Sequence, residues 1–369
     1  MITKFDAFYG GHVEMEDFGF QGIPVDDRWL SDEHLSTALD IAKQFATLMD
    51  EKGFDTLWLS EHHFQREGYG CIPNIPMLSI YLSQFTKDLN FGGFFNVVTA
   101  WHPLRLAEDF AMADILTGGR TRLGVGRGYI AREVETLGGF LEDNDANREL
   151  FEEQIEILRK AWNAPSFSHH GKHYQIPADV THRGSKLKDV TVVPRPLHGK
   201  VEMWQPITSA TQRGYDFMVK HDINGVIATT GDAADRFAKE YQSALLRIGI
   251  ESELGSRLAI GCQIHISETK EKALKEAEPF YQAGQPSLPE GNHQAARRAF
   301  RRSLRRNPIH KLALLELGNL HRSQGNLDAA FNLHKKAIQA GNKDQRLIES
   351  LADDFASAGR PDALRALLE

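Results

Sequence analysis

Cysteine is scarce in this chain: only Cys71 and Cys262 occur in 369 residues. Two cysteines are too few for a disulfide framework, and they match no metal-binding spacing. We interpret both as small apolar residues of the interior, a use that fits a reducing cytoplasm. The adjacent His62 and His63 predict no metal site either, because neighbouring side chains on a strand point apart and cannot converge on one ion.

Long apolar runs are also missing. No window approaches 18 apolar residues without charge, which argues against a transmembrane helix. The first twenty residues, MITKFDAFYGGHVEMEDFGF, lack the apolar core of a signal peptide. Neither the P-loop pattern GxxxxGK[ST] nor the nucleophile elbow GxSxG occurs, so neither type of site is expected. These absences predict a cytoplasmic protein without a membrane partner.

Positive charge is in short supply in the first 282 residues, which hold 29 Lys and Arg against 41 Asp and Glu. This acidic balance argues against a nucleic-acid role for that part. Residues 283–369 reverse it, with 14 Lys and Arg against 9 Asp and Glu. The arginine pairs of this tail indicate a solvated helix face or, alternatively, a surface for an acidic partner or nucleic acid.

Strand-like and helix-like patterns alternate through the acidic part. The apolar strand-like runs are Thr3–Tyr9, Thr56–Ser60, Leu89–Val98, Thr121–Val125, Val201–Pro206, Asn224–Thr229 and Leu258–Ile266. The helical patterns are Glu33–Lys52, Pro76–Phe85, Leu104–Leu116, Arg148–Trp162, Gln212–Lys220, Ala233–Ile248 and Lys270–Tyr281. This alternation predicts an α/β fold with a parallel sheet, either a doubly wound open sheet or a (β/α)8 barrel. A barrel built from these seven units lacks a recognisable eighth.

One segment without clear secondary structure interrupts the pattern, from Ser166 to Lys188. Long loops of barrels commonly serve as active-site lids. The histidines of this segment therefore belong either to a lid or to a solvated surface.

The run from Trp101 to Tyr129 carries the strongest local signal. A helical pattern stops at Gly118-Gly119, and a short strand with Gly124 and Gly126 follows and ends on Arg127. Glycines let a ligand approach the backbone, and a guanidinium can grip a phosphate, so this strand end suits an anionic planar ligand. The spacing GVGRG is not the full GxGxxG of a dinucleotide-binding fold.

Three motifs together resemble the bacterial luciferase-like family of flavin-dependent monooxygenases: EHHF at 61–64, HPLRLAEDFAMADILTGGR at 102–120, and GVGRG at 124–128. The resemblance runs from about Ile2 to about Tyr281. It implies a (β/α)8 TIM-type barrel, and an enzyme that uses reduced FMN and dioxygen to oxygenate a small organic substrate. It further implies a separate flavin reductase as the source of reduced FMN, and a homodimer. A branch of the superfamily uses a deazaflavin, but EHHF favours FMN.

The same resemblance assigns the site residues. His62 matches the catalytic histidine, and Glu61 matches an acidic residue close to the flavin. Residues 209–213 follow the fifth predicted strand and open a helix, where hydroxyls and free N–H groups make an anion site. The residues expected to bind the cofactor, mainly through its phosphate, are Gly126, Arg127, Gly128, Tyr129, Arg148, Ser209 and Thr211, with Gln212 and Arg213 as near contacts.

The last part of the chain shows a period of 34 residues, marked by Gly291, Gly325 and Gly359. Paired helices with this period resemble tetratricopeptide repeats. We therefore predict three parts: a flavin-binding barrel at 1–282, a linker at 283–290 and helical repeats at 291–369. The alternative function is a protein-interaction module, in which the repeats bind a partner and the truncated barrel is inactive.

Overall fold

The computed structural model describes residues 4–15, 29–141, 143–208, 211–262 and 264–283, and residues 314, 317, 318, 321, 330 and 332–336. The chain divides into two units, one up to Ile266 and one from Ser267 onwards. The second unit contains helix α8 (Lys270–Ala283). The predicted linker and repeats lie almost wholly outside the described residues, so the three-part division stays a prediction.

Strands and helices alternate along the first unit, which confirms the predicted α/β class. The strands of its main sheet are β1 (Asp6–Tyr9), β2 (Thr56–Leu59), β3 (Asn90–Gly93), β4 (Asn96–Val97), β5 (Thr121–Gly126), β10 (Met203–Pro206), β11 (Ile223–Ile227) and β12 (Leu258–Ile260). The helices are α1 (Asp32–Glu51), α2 (Ile75–Ser83), α3 (Pro103–Leu116), α4 (Ala131–Val134), α5 (Asn144–Asn163), α6 (Gln212–Lys220) and α7 (Asp232–Arg247).

The main sheet is parallel throughout and follows the order β1-β2-β3-β5-β10-β11-β12, with β4 beside β5. Trp58 of β2 and Trp204 of β10 touch across its inner face, with ring centroids 5.5 Å apart. In a flat sheet these strands, three positions apart, would lie about 14 Å from each other. The sheet is therefore curled, as in a TIM-type barrel.

The two ends of the curled sheet remain open among the described residues, where β1 pairs only with β2 and β12 only with β11. Large apolar side chains stand near both ends: Phe8 is 54% exposed and Ile260 is 57% exposed. In the part of the chain that is described, the sheet is thus a half-barrel with seven strand positions.

The core lies between the outer face of the sheet and the helices. One cluster packs β1, β2 and β3 against α1 and α2, with Leu57, Leu59 and Phe91 at its centre. Helix α1 presents Ala38, Ala42 and Ala46 to this region at i, i+4 spacing, so that small residues let the helix lie close to the sheet. A second cluster packs β5, β10 and β11 against α3, α5, α6 and α7.

Glycines bring the backbones of β3 and β5 unusually close. A Cβ atom at Gly124 would lie 1.5 Å from the carbonyl oxygen of Gly93, and one at Gly92 would lie 2.3 Å from the ring of Trp58. At Gly126 a Cβ would lie 3.1 Å from Cβ of Phe95. The carboxyl ends of these strands therefore form a surface of bare backbone, that is, main-chain atoms not covered by side chains, beside aromatic rings.

Asp50, at the end of α1, binds the segment that leads into β3. Its Oδ1 accepts from the backbone N–H groups of Asp88 and Leu89 at 2.9 and 2.8 Å, and its Oδ2 accepts from that of Lys87 at 2.9 Å. Burial alone would raise the pKa of Asp50, but these three hydrogen bonds outweigh it and lower the pKa. A lowered pKa means that the stabilisation is present at neutral pH and is lost as the pH falls through the folded-state pKa.

Replacing Asp50 by asparagine should lower the free energy of unfolding by about 1–2 kcal/mol at neutral pH, because a neutral amide oxygen accepts these bonds more weakly. Urea unfolding would measure this loss. The difference in unfolding free energy between Asp50→Asn and the wild type should narrow as the pH falls through the lowered pKa of Asp50. Asp40→Asn, at an exposed position of the same helix, is the control; equal effects of the two substitutions would contradict the assignment.

Candidate active site at the carboxyl ends of the strands

Two clusters of polar side chains lie just beyond the carboxyl ends of the strands, the edge at which parallel α/β folds bind ligands. The first, which we call the histidine wall, consists of Glu61, His62, His63, Gln65 and Glu133. The second, the arginine pocket, is a cavity between β5, α5 and α6. Its polar lining includes Arg127, Arg148, Glu152, Gln205 and Thr211.

The two histidine rings of the wall point to different partners. Nε2 of His63 lies 3.0 Å from Oε1 of Glu61, whereas Nδ1 of His62 lies 3.2 Å from Oε1 of Glu133. The sequence predicted this divergence from strand alternation, but β2 ends at Leu59. The three residues EHH therefore lie in the loop after the strand, and their hydrogen bonds, rather than the pleat of a strand, separate the rings.

Glu61 is buried, with 2% exposure. Its Oε1 accepts a hydrogen bond from Nε1 of Trp101 at 2.9 Å and lies within bonding distance of His63. Its Oε2 is also buried but has no partner among the described residues. An unpaired buried oxygen carries a desolvation cost that a donor on a ligand would remove.

Glu133, on the short helix α4, was not identified from the sequence. It is 2% exposed, and its Oε1 accepts hydrogen bonds from Nε2 of Gln65 at 2.6 Å and from the backbone N–H of His63 at 3.1 Å. Burial would raise the pKa of Glu133, but the bonds from His62, Gln65 and His63 outweigh it and lower the pKa. Glu133 is therefore a carboxylate that joins α4 to the loop after β2.

Two glycines allow the backbone to pack closely around the histidine wall. A Cβ at Gly70 would lie 2.5 Å from the His62 side chain, so the ring of His62 packs directly on the chain there. Gly128 has a φ of 72°, in the left-handed region, and turns the chain from β5 towards α4. Tyr129 follows this turn and places its ring edge-on to His62, with centroids 6.1 Å apart. Tyr129 thus lies beside His62, and neither Gly128 nor Tyr129 lines the arginine pocket.

The arginine pocket brings together residues that are distant in sequence. It has a volume of about 90 Å³ and is lined by Gly126, Arg127, Arg148 and Thr211, among others. Burial and the nearby Arg148 lower the pKa of Arg127, as expected where two positive charges lie close together. The concentration of positive charge favours an anion in the cavity.

Thr211 is the N-cap residue of α6, and its side chain accepts from the N–H of Gly214 at 3.3 Å. The first N–H groups of a helix lack partners within it, so this end of α6 suits an anion. Ser209, predicted as a phosphate contact, lies outside the described residues. Gln212 and Arg213 do not line the cavity: Gln212 bonds Asp216 at 2.7 Å, and Arg213 bonds Glu152 at 2.7 Å.

Helix α5 begins earlier than predicted. Asp143 caps it by accepting from the N–H groups of Asp145 and Ala146, so the helix starts at Asn144. Arg148 therefore lies one turn inside α5 and does not open it. From there it lines the pocket, and its Nη1 lies 3.9 Å from Oε1 of Glu152.

Glu152 and Gln205 are lining residues that the sequence did not suggest. Glu152 lies one turn after Arg148, and Gln205 lies in β10, which is too short to reveal which of its side chains face a cavity. Oε1 of Gln205 is buried without a partner among the described residues. Like Oε2 of Glu61, it is available to a donor group on a ligand.

The segment predicted as a loop, Ser166 to Lys188, instead contains two short antiparallel pairs. They are β6 (His169–His170) with β7 (Gln175–Ile176), and β8 (Thr181–His182) with β9 (Ser185–Lys186). His169 is 5% exposed, and its Nε2 lies 3.0 Å from Oε1 of Glu153 on α5. This histidine therefore fastens the first hairpin to α5 and is not on a solvated surface.

A curled parallel α/β sheet with ionisable side chains and an arginine-lined cavity at its carboxyl edge is the arrangement found in enzymes of the TIM-barrel type. The model of the luciferase-like monooxygenase family matches residues 25–365, and the chain belongs to this family. The predicted resemblance ends near Tyr281, but the family match continues to residue 365, so the similarity extends further along the chain than predicted. No helix among the described residues is both long and apolar enough to cross a membrane.

Known proteins similar to the chain include oxygenases. It is 30% identical over 135 residues, 36% of each chain, to the oxygenase component of flavin-dependent trigonelline monooxygenase from Acinetobacter baylyi. The chain spans 61%, 40% and 36% of the lengths of three curated relatives that it matches, in each case less than two thirds.

Solved structures share the fold. One is the oxygenating constituent of 3,6-diketocamphane monooxygenase from Pseudomonas putida in complex with FMN, with a TM-score of 0.59, 20% identity, and coverage of 89% of this chain and 78% of the other. Another is an F420-dependent secondary alcohol dehydrogenase, with a TM-score of 0.54, 14% identity, and coverage of 78% and 77%. At these identities the likeness concerns the fold alone.

Proposed function

We propose that this protein is an FMN-dependent monooxygenase that uses reduced FMN and dioxygen to oxygenate a small organic substrate. The observation that carries the proposal is the placement of an arginine-lined anion pocket and a buried histidine–carboxylate cluster along one edge of the sheet. Arg127 and Glu133, one from each cluster, lie only six positions apart in the chain. A ligand with a phosphate at one end and a reactive ring at the other would engage both clusters.

The arginine pocket fits the phosphate of FMN. Its volume of about 90 Å³ is well below the ~300–1,000 Å³ that encloses a drug-sized ligand, so it would take the phosphate and leave the ring outside. Arg127 and Arg148 supply guanidinium donors, and the amino end of α6 supplies backbone N–H groups. The charge of Glu152 is offset by Arg213, whose Nη2 lies 2.7 Å from it, so the pocket stays positive.

The ring end of the ligand would meet the bare backbone at Gly126 and the side chains of the histidine wall. When bound, reduced FMN supplies two electrons, so that one oxygen atom of dioxygen enters the substrate and the other leaves as water. This stoichiometry requires protons to be moved near the oxygen. His62, half-buried beside Tyr129, is the group that we assign to this task. Oε2 of Glu61 would accept a hydrogen bond from the bound ligand.

FMN is preferred to a deazaflavin because the pocket suits a single terminal phosphate and because the EHHF motif favours FMN by resemblance. The trigonelline relative is named as an oxygenase component, which supports a separate flavin reductase as the source of reduced FMN. We further propose a homodimer in the cytoplasm, by resemblance to the family. We also propose the tail beyond α8 as the binding region for a protein partner.

The direct test is a titration of the purified full chain with FMN and with photoreduced FMN, followed by fluorescence and absorbance. We expect saturable binding that is tighter for the reduced form. Absence of binding by either form, or binding of a deazaflavin alone, would overturn the FMN assignment. With FMN bound, a reductase-coupled screen would begin with alkanals, trigonelline and 3,6-diketocamphane, which the names of similar proteins contain.

A further inference from the structure

We propose that Glu133 is a positioning residue that holds His62 with its proton on Nδ1 and leaves Nε2 as the reactive, proton-accepting nitrogen. The inference deepens the proposed function, on which its catalytic meaning rests. Glu133 lies 71 positions from His62 and belongs to none of the motifs read from the sequence. Its role follows from the hydrogen bonds of the histidine wall.

The donor and acceptor chemistry of the wall decides the tautomer. An ionised carboxylate only accepts hydrogen bonds, and Oε1 of Glu133 lies 3.2 Å from Nδ1 of His62. Nδ1 must therefore carry the proton that makes this bond. The bond leaves Nε2 unprotonated in the neutral ring, and no hydrogen bond to Nε2 is found among the described residues.

Gln65 is compatible with the same assignment, because its stronger contact is with the carboxylate and not with Nδ1. Its Nε2 lies 2.6 Å from Oε1 of Glu133 and 3.2 Å from Nδ1 of His62. An amide N–H₂ group only donates, and the shorter contact goes to the carboxylate. Gln65 and the backbone N–H of His63, at 3.1 Å, thus join His62 as three donors that converge on one carboxylate oxygen. Such convergence orients a side chain in the way that outer-shell carboxylates orient histidines elsewhere.

The loop and α4 are also joined at a second point, which keeps the geometry intact when Glu133 is altered. Nη2 of Arg132 forms a short ion pair with Oε1 of Glu67, a residue that is 4% exposed. Gly128, which turns the chain into α4, adds a further constraint through its left-handed φ of 72°. A substitution of Glu133 that preserves size but removes the acceptor oxygen should therefore change the tautomer without unfolding the wall.

The test uses the full chain labelled with ¹⁵N-histidine, without flavin, at about pH 8, where histidines of ordinary pKa are neutral. Long-range ¹H–¹⁵N spectra distinguish the two tautomers, and His62→Ala identifies the signal of His62. We expect His62 to be protonated on Nδ1 in the wild type and in Glu133→Asp. In Glu133→Met, which keeps the size of the side chain but has no acceptor oxygen, Nε2 of Gln65, 3.2 Å from Nδ1, can donate to Nδ1, and the proton should move to Nε2. Protonation of His62 on Nε2 in the wild type, or an unchanged tautomer in Glu133→Met, would overturn the proposal.

The catalytic consequence is measured separately. In the reductase-coupled assay, Glu133→Met should lower kcat by about 10- to 100-fold with little change in the FMN dissociation constant, and Glu133→Asp should recover much of the loss. Glu135→Met, at the exposed end of the same helix, is the matched control. An equal loss in Glu133→Asp and Glu133→Met would show a merely structural role. Because the tautomer is read without flavin, failure of FMN to bind would refute the proposed function and leave the tautomer result standing.

Discussion

The variant His62→Ala should lose about 100- to 10,000-fold in turnover, the usual contribution of a positioned acid–base group. The physical reason is that Nε2 of His62 has no hydrogen bond among the described residues and is open to a ligand, whereas Nε2 of His63 lies 3.0 Å from Oε1 of Glu61. The measurement is the rate of product formation in the reductase-coupled assay, with the first substrate that the wild type oxygenates.

The second measurement on His62→Ala is its affinity for FMN. The arginine pocket does not contain His62, so the dissociation constant of FMN should stay within about threefold of wild type, well under the 1.4 kcal/mol of a tenfold change. His182→Ala removes an exposed histidine from β8 and serves as the control. Unchanged turnover in His62→Ala, or loss of its flavin binding, would show that the assigned role is wrong.

Arg127→Ala should weaken FMN binding by about 10- to 100-fold, because a hydrogen bond to a charged group contributes about 1.5–3 kcal/mol. Arg127 is half-buried in the pocket, where solvent screens its charge less than at the surface. The measurement is the same fluorescence titration. Riboflavin, which has the ring but not the phosphate, should bind the variant and the wild type equally.

Arg105→Ala is the matched protein control for this experiment. Arg105 is an exposed arginine of α3 whose guanidinium pairs with Glu108 and Asp109 on the same helix. Its loss should leave FMN binding unchanged. If Arg127→Ala weakened riboflavin as much as FMN, the guanidinium would be supporting the ring or the fold, and the phosphate assignment would fail.

Part of the site could be predicted because the positions of strand ends are visible in a sequence. Arg127 directly follows a glycine-rich strand, and Thr211 precedes an amphipathic helix. In a parallel sheet such positions meet at one edge wherever they occur in the chain. The structure places both in the arginine pocket together with Arg148, although their contact with FMN stays a prediction.

Other parts could not be predicted because their signals are too short or depend on tertiary contacts. Helix α4 has four residues, about one turn, so it shows no periodicity that could reveal Glu133. The strands of the two hairpins after α5 have two residues each, which is below the length at which alternation is recognisable. The start of α5 was missed because its first turn, after the N-cap Asp143, is polar and shows no apolar periodicity.

The bare backbone where β3 meets β5 limits how this protein can diversify. Any side chain at Gly124 would collide with main-chain atoms of Gly93, and a rearrangement of side chains cannot relieve that collision. Mutation can therefore alter this surface through Phe95, which borders Gly124 and Gly126, and through the loops beyond the strands. Under the proposed function, new substrate preferences would arise by changes in those loops, while Gly124 stays glycine.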